Sequence, residues 1–312
     1  MSMKIIRPPA LRPGDKTGII APASNIKPDL LRAGAEGLRA RGYEPVYLPG
    51  ILDRDLYFAG TIDRRVRELE EMLERDDIAA LICARGGYGS NYLLERVDFR
   101  KFVAHPKIVV GYSDNTSLLA AIHDRTGLIT FHGPMVTKDF ASPDGVEQSS
   151  WQNATSGTQA WNVPTPEVEV LKPGRAQGKL YGGCLSLLVA SLGTPFEVQT
   201  DETILFLEDI GAKPYQVDRM LVQMRLAGKL DRVRGFIFGE MLDCVQPNSQ
   251  DYTLQEVILR LLGHYDLPII YGVKSGHVSG ANITLPLGVK AELNADNSGA
   301  RLSILESSVQ IS

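Results

Sequence analysis

The segment Gly111-Tyr112-Ser113-Asp114-Asn115 directly follows an apolar run, Ile108–Val110, and directly precedes a helix-like stretch. A serine on so tight a strand-to-helix turn has its hydroxyl raised above the sheet edge, as in a nucleophile elbow. The amide of the next residue, Asp114, points toward the same space, and a helix N-terminus favours negative charge there. The match to G-x-S-x-G is partial, because Asn115 stands at the last position. Ser113, Asp114 and Asn115 are also good helix N-caps, so the segment reads either as an elbow or as a cap. A second turn, Arg85-Gly86-Gly87-Tyr88-Gly89-Ser90, follows the apolar run Ile78–Cys83. Its backbone amides suit a phosphate or an oxyanion, and the same glycines also suit a plain strand-to-helix connection. The spacing is not G-x-G-x-x-G, and no GK[ST] follows as a P-loop requires.

A serine nucleophile needs a base, and the base needs an orienting group. Of the five histidines, His105 lies in a polar loop, His123 within a helical stretch and His264 at a helix end. His132 ends a strand-like run, and His277 sits in the glycine-flanked loop Lys274-Ser275-Gly276-His277-Val278-Ser279-Gly280. These two are the candidate bases. Glu208 and Asp209 follow the strand-like Ile204–Leu207, and acids rarely enter the edge of an apolar strand without a partner. The order Ser113, Glu208, His277 is the nucleophile-acid-base order of α/β hydrolases. No HExxH, no Cys/His pair at ligand spacing and no Asp-rich calcium loop is present, so neither a metal nor a cofactor is expected.

The elements that must position these residues alternate strand and helix through the first half. Strand-like Thr17–Ala21, Glu44–Leu48, Ile78–Cys83, Ile108–Gly111 and Leu128–Phe131 are interleaved with helix-like Asp29–Arg41, Thr61–Arg75 and Asn115–Arg125. In Thr61–Arg75 the spacing places Ile62, Val66, Leu69 and Leu73 on one face. Continuous apolar runs without alternation are buried on both faces, as in a parallel sheet. The rhythm predicts an α/β fold with an open parallel, Rossmann- or flavodoxin-like sheet over residues 1–140. Residues 141–178 read as a connector rich in small and polar residues, carrying both tryptophans, Trp151 and Trp161. Residues 179–312 read as a smaller, β-rich mixed domain, because the last strands near 269–304 lack intervening helices.

Composition narrows the class. The 312 residues carry 33 Lys plus Arg against 37 Asp plus Glu, a net charge of −4. A mildly acidic chain without a basic run predicts no nucleic-acid partner and no anionic membrane. The longest strongly apolar stretch, Leu185–Leu192, falls short of the about 18 residues a membrane span needs. The N-terminus lacks the apolar run of a secretory leader. Three scattered cysteines, Cys83, Cys184 and Cys244, form neither a disulfide framework nor a CxxC pair, so the expected setting is a reducing cytoplasm.

The chain resembles the LD-carboxypeptidases, serine peptidases that include murein tetrapeptide carboxypeptidases and the microcin C immunity peptidase. The resemblance rests on GIIAPAS (Gly18–Ser24), ARGGYGSNYLL (Ala84–Leu94), GYSDNTSLL (Gly111–Leu119) and FHGPM (Phe131–Met135). It continues through LYGGCLSLLVASLGTP (Leu180–Pro195), ILFLEDI (Ile204–Ile210), PYQVDRMLVQM (Pro214–Met224) and GHVSGANITLPLG (Gly276–Gly288), nearly the whole chain. It implies a triad of Ser113, Glu208 and His277, an oxyanion hole from the Asp114 amide and that of Gly86 or Gly87, and an active site between two domains. It further implies removal of a terminal D-Ala from a small muropeptide substrate in the cytoplasm, with a peptidyl-nucleotide toxin as the alternative substrate, and a homodimer. Arg85 is the candidate cation for the substrate carboxylate and Tyr112 a candidate pocket wall. A non-catalytic ligand-binding module is the remaining alternative. Cys184 departs from the asparagine expected there in several relatives.

Overall fold

In the computed structural model, which describes residues 4–157, 159–165, 167–246 and 251–310, the chain passes four times between two units. Unit one comprises Met1–Thr158, Gly280–Gly288 and Ser307–Ser312, and unit two comprises Gln159–Ser279 and Val289–Glu306.

Unit one runs β1 (Lys16–Ile20), α1 (Pro28–Ala40), β2 (Glu44–Val46), α2 (Ile62–Glu74), β3 (Ile78–Cys83), α3 (Arg100–Ala104), β4 (Ile108–Gly111), α4 (Thr116–Thr126), β5 (Thr130–His132) and α5 (Gln148–Thr155). Its sheet has the order β2-β1-β3-β4-β5, all parallel, closed at the β5 edge by an antiparallel strand, Leu285–Leu287. The unalternating runs behave as expected: Leu81, Ile82, Val109 and Val110 are fully buried. Each such side chain contributes about 1.5–3 kcal/mol by leaving water. The strand order reverses between β1 and β3, and ligands of open α/β sheets bind beyond the carboxyl ends of strands at such a point. The segments leaving β1 and β3 there are Ala21–Ser24 and the glycine turn Ala84–Ser90.

Helix α2 departs from its expected face. Thr61 caps it as the sequence suggests, its hydroxyl accepting the Arg64 N–H at 3.2 Å. The buried stripe, however, is Arg65, Glu68, Leu69, Met72 and Leu73, whereas Ile62 and Val66 are half-buried. Two charged residues occupy it because backbone groups beyond β1 and β3 need partners. Arg65 donates to the carbonyls of Pro22 and Gly89, both at 2.7 Å, and Glu68 accepts the Ala21 N–H at 2.7 Å.

Unit two runs β6 (Trp161–Val163), β7 (Glu169–Lys172), β8 (Gly174–Cys184), α6 (Leu185–Ala190), β9 (Thr203–Glu208), α7 (Pro214–Leu226), β10 (Gly235–Gly239), α8 (Leu254–Leu262) and β11 (Ile269–Val273). After β12 (Leu285–Leu287) in unit one, it resumes with β13 (Lys290–Asp296) and β14 (Gly299–Ile304). The sheet order is β6-β14-β13-β8-β9-β10-β11-β7, a parallel centre of β8 to β11 with antiparallel flanks. This is the mixed, β-rich architecture expected for the second half. Strand β8 continues through Gly182 at φ +133°, where a Cβ would stand 2.8 Å from the Phe206 carbonyl carbon. Only glycine lets β8 and β9 approach there.

The stretch 141–178 carries α5, β6, β7 and the first residues of β8, and its residues 158 and 166 lie outside the described residues. Among the described residues, no helix is long and apolar enough to cross a membrane.

Candidate active site

In unit one, β4 ends at Gly111 and the backbone turns through Ser113–Asn115 into α4. Tyr112 is extended, and Ser113 then adopts φ +62°, the left-handed region that a non-glycine residue enters at a cost of about 1–3 kcal/mol. That conformation makes the turn an elbow. The capping alternative fails: no side chain caps α4. The Asp114 carboxylate instead accepts the Ser90 N–H at 2.7 Å, while the Ser90 hydroxyl donates to the Asp114 carbonyl at 2.5 Å. Burial pushes the Asp114 carboxyl up, opposed by those hydrogen bonds. Asn115 donates its amide to the carbonyls of Arg85 and Tyr112, at 3.1 and 3.2 Å. The residue that breaks the G-x-S-x-G pattern thus ties the elbow to the glycine turn.

The glycine turn closes directly over the serine. A Cβ at Gly86 would stand 2.6 Å from the Ser113 Cβ, 2.8 Å from its Oγ and 3.4 Å from the Asp114 nitrogen. Gly87, at φ +104°, abuts Ser24, where a Cβ would be 2.7 Å from the Ser24 Cβ. Ser24 in turn accepts the Tyr88 N–H on its hydroxyl at 3.0 Å, and its own N–H donates to the Gly86 carbonyl at 3.3 Å. Segments after β1, β3 and β4 are therefore braced against one another, with the buried Arg65 joining the first two. A serine hydroxyl and neighbouring backbone amides in a braced turn can attack a carbonyl and stabilise the resulting oxyanion.

In unit two, β9 delivers two acids with different tasks. Asp209 accepts the N–H groups of Ser186 and Ile210, both at 2.8 Å, and so serves the start of α6. Glu208, fully buried, faces His277: its Oε2 is 2.8 Å from Nδ1 and accepts the His277 backbone N–H at 3.0 Å. Gly239 on β10 makes room for this carboxylate, since a Cβ there would lie 2.6 Å from the Glu208 Cβ. A carboxylate at Nδ1 fixes the imidazole tautomer with Nε2 as proton acceptor, the arrangement of an oriented general base.

The remaining candidates are placed as follows. Arg85 is exposed and its guanidinium donates to the Asn25 carbonyl at 3.2 Å. Tyr112 is 1% exposed, so its ring stands in the core of unit one. His132 is fully buried in the same unit, its ring 6.0 Å from that of Tyr112. His123 is held against the Leu128 carbonyl at 3.0 Å, and His264 stacks beside Tyr265 at 4.3 Å. Trp151 is a packing anchor, fully buried between Tyr43 and Phe140 and donating to the Tyr43 hydroxyl at 3.0 Å. Arg65, Ser24 and Asn115 escaped the sequence reading as site supports. The available signal was a pair of charges, Arg65 and Glu68, on the i, i+3, i+4 stripe of an otherwise apolar helix face.

Comparison with known proteins agrees with this architecture. Residues 17–133 match the LD-carboxypeptidase N-terminal domain and residues 177–293 the LD-carboxypeptidase C-terminal domain. A probable murein peptide carboxypeptidase of Bacillus subtilis (strain 168) is 38% identical over 292 residues, covering 92% of this chain and 91% of the relative. The microcin C7 self-immunity protein MccF of Escherichia coli is 29% identical over 319 residues, covering 91% and 92%. The crystal structure of muramoyltetrapeptide carboxypeptidase from Oxalobacter formigenes superposes with a TM-score of 0.82 at 28% identity, covering 94% of this chain and 99% of that one. With both family domains matched in order along most of its length, the chain belongs to the LD-carboxypeptidase family.

Proposed function

We propose that this chain is a serine carboxypeptidase that removes the terminal D-Ala from murein tetrapeptides. The observation that carries the serine assignment is Ser113 itself, held at φ +62° with Gly86 against its hydroxyl. Strain of this kind persists only where the surroundings impose it, and it clusters at reacting groups. The Glu208–His277 pair supports the same reading, and the names of the Bacillus and Oxalobacter relatives support the substrate.

In the proposed reaction, His277 Nε2 takes the Ser113 proton as Oγ attacks the carbonyl carbon of the scissile amide. Glu208 stabilises the imidazolium that forms. The Asp114 amide, with that of Gly86 or Gly87, holds the oxyanion. Collapse expels D-Ala, whose amine receives the proton from His277, and water then hydrolyses the acyl-serine by the same proton route. Arg85, on the rim of the glycine turn, is the proposed partner of the substrate's terminal carboxylate. A cytoplasmic setting accords with Cys83, Cys184 and Cys244 being thiols rather than disulfides, and a homodimer completes the reading. Sedimentation equilibrium tests the dimer: a monomer at micromolar concentration removes it.

The test of activity is hydrolysis of a meso-diaminopimelate tetrapeptide followed by mass spectrometry, with Ser113→Ala as control. Release of one D-Ala by wild type alone is the expected result. A second substrate, a peptidyl-nucleotide amide, is suggested by the microcin relative. Cleavage of that amide with the tetrapeptide left intact would move the substrate assignment. Failure of a fluorophosphonate to label Ser113 in folded protein would remove the serine mechanism altogether.

A further inference from the structure

Strands β8 and β9 put a thiol beside the carboxylate that orients His277. Cys184 is the register partner of Glu208, so their side chains leave adjacent strands on the same side of the sheet. One donor atom from each of Cys184, Glu208 and His277 lies within 4.8 Å of the others. A thiolate, a carboxylate oxygen and an imidazole nitrogen form a donor set suited to zinc, with ligand distances of about 2.0–2.3 Å. Donors around one tetrahedral ion stand roughly 3.3–3.8 Å apart, so small side-chain shifts close the set. All three residues belong to unit two.

We propose that Cys184, Glu208 and His277 bind a borderline or soft divalent cation, Zn2+ or Cd2+, and that its binding switches off the histidine. Without the ion, burial and the neighbouring carboxylates of Glu208 and Asp209 hold Cys184 as a neutral thiol. The same negative surroundings attract a dication, which offsets the cost of ionising the sulfur. The Ser186 hydroxyl lies 3.3 Å from the Cys184 sulfur.

The proton balance explains the switch. The ion enters between His277 Nδ1 and Glu208, 2.8 Å apart, where the Nδ1 proton otherwise sits. The Cys184 thiol releases its proton to solvent as the metal–sulfur bond forms. The Nδ1 proton is lost to solvent and Nε2 gains one, so the imidazole stays neutral in its other tautomer. Nε2 is then a hydrogen-bond donor and cannot accept a proton from a serine hydroxyl. Nothing is oxidised or reduced. The site stands on geometry alone, whereas the switch rests on the reading of His277 as the base.

Full-length protein titrated with Cd2+ at neutral pH should develop the ultraviolet cadmium–thiolate charge-transfer band. Cys184→Ala should lose it, although Cys83 and Cys244 remain. Its Cd2+ affinity should fall by more than the about 10–100-fold that loss of an outer partner costs. His277→Ala, a second variant, should weaken the same titration. No band in wild type, or an undiminished band in Cys184→Ala, overturns the site. Zn2+ should inhibit wild-type turnover, EDTA should restore it, and Cys184→Ser should show less fractional inhibition relative to its own turnover. Equal fractional inhibition in the two proteins overturns the switch. If no peptide substrate is turned over, the cadmium band still decides the site, so failure of the metal proposal and failure of the peptidase reading are told apart.

Discussion

Oε2 of Glu208 receives two groups of His277 at once, the backbone N–H at 3.0 Å and the ring Nδ1 at 2.8 Å. One buried carboxylate oxygen thus sets both where the loop residue sits and how its ring is turned. Glu208→Gln keeps the shape but lets the amide present N–H to the ring, which favours the wrong tautomer. Turnover should drop by about a thousandfold to ten-thousandfold while KM changes little. Steady-state kinetics on a folded variant checks this, and a drop of less than tenfold would remove the orienting role.

Ser113 carries backbone strain, held at φ +62°. Ser113→Ala keeps the Cβ and the strain, whereas Ser113→Gly relieves it. Both should be inactive, and the glycine variant should be the more stable by about 1 kcal/mol, part of the relief being offset by unfolded-chain entropy. Denaturant unfolding of the two variants compares them directly. An alanine variant as stable as the glycine variant would show an unstrained elbow.

Gly86 leaves the space above the serine open. A methyl group in Gly86→Ala meets the Ser113 Oγ at 2.8 Å, so the turn or the serine must shift. Displacing one oxyanion donor costs about 10^2–10^3 in kcat. We expect a loss at least that large with KM affected far less. Wild-type kcat in Gly86→Ala would separate the glycine turn from the reacting group.

Glu68 links stability to pH. Burial raises its carboxyl to about 7, against the Arg64 ion pair and the Ala21 hydrogen bond that lower it. The folded state therefore holds a proton that the unfolded state has already released. The sign follows: this contribution is fully present below about pH 4.5 and is lost as pH rises to about 7, a change of about 3 kcal/mol. Relative to Glu68→Gln, wild type should lose stability across that window. Parallel unfolding curves for the two proteins from pH 4.5 to 7 would refute it.

The three thiols should resist alkylation. Burial pushes the Cys244 thiol up to about 11 and raises Cys83 and Cys184 above the ordinary thiol value. Iodoacetamide at neutral pH should label none in native protein and all three after denaturation, read by intact mass. Rapid native labelling of Cys184 would show a thiolate in the resting state.

What was legible in the sequence was local. Unalternating apolar runs named β1, β3, β4 and β9, whereas β6, β7 and the start of β8 lay in the stretch 141–178 that read as a connector, and glycines marked the turns that hold Ser113 and His277. The structure adds a local device that was not read from the sequence: Thr253 and Glu256 cap the N-terminus of α8 reciprocally. These features depend on neighbours within a few residues, where propensity and periodicity act. Tertiary structure alone decided the rest. It set the order β2-β1-β3-β4-β5, the addition of β12 from more than 150 residues away, and the turning of Arg65 and Glu68 inward to serve bare backbone groups. It also set the register that stands Cys184 beside Glu208, and the choice of Glu208 over Asp209 as the partner of His277. Each depends on contacts between distant segments, whose closure is favourable only when the whole sheet forms, so no local pattern encodes it.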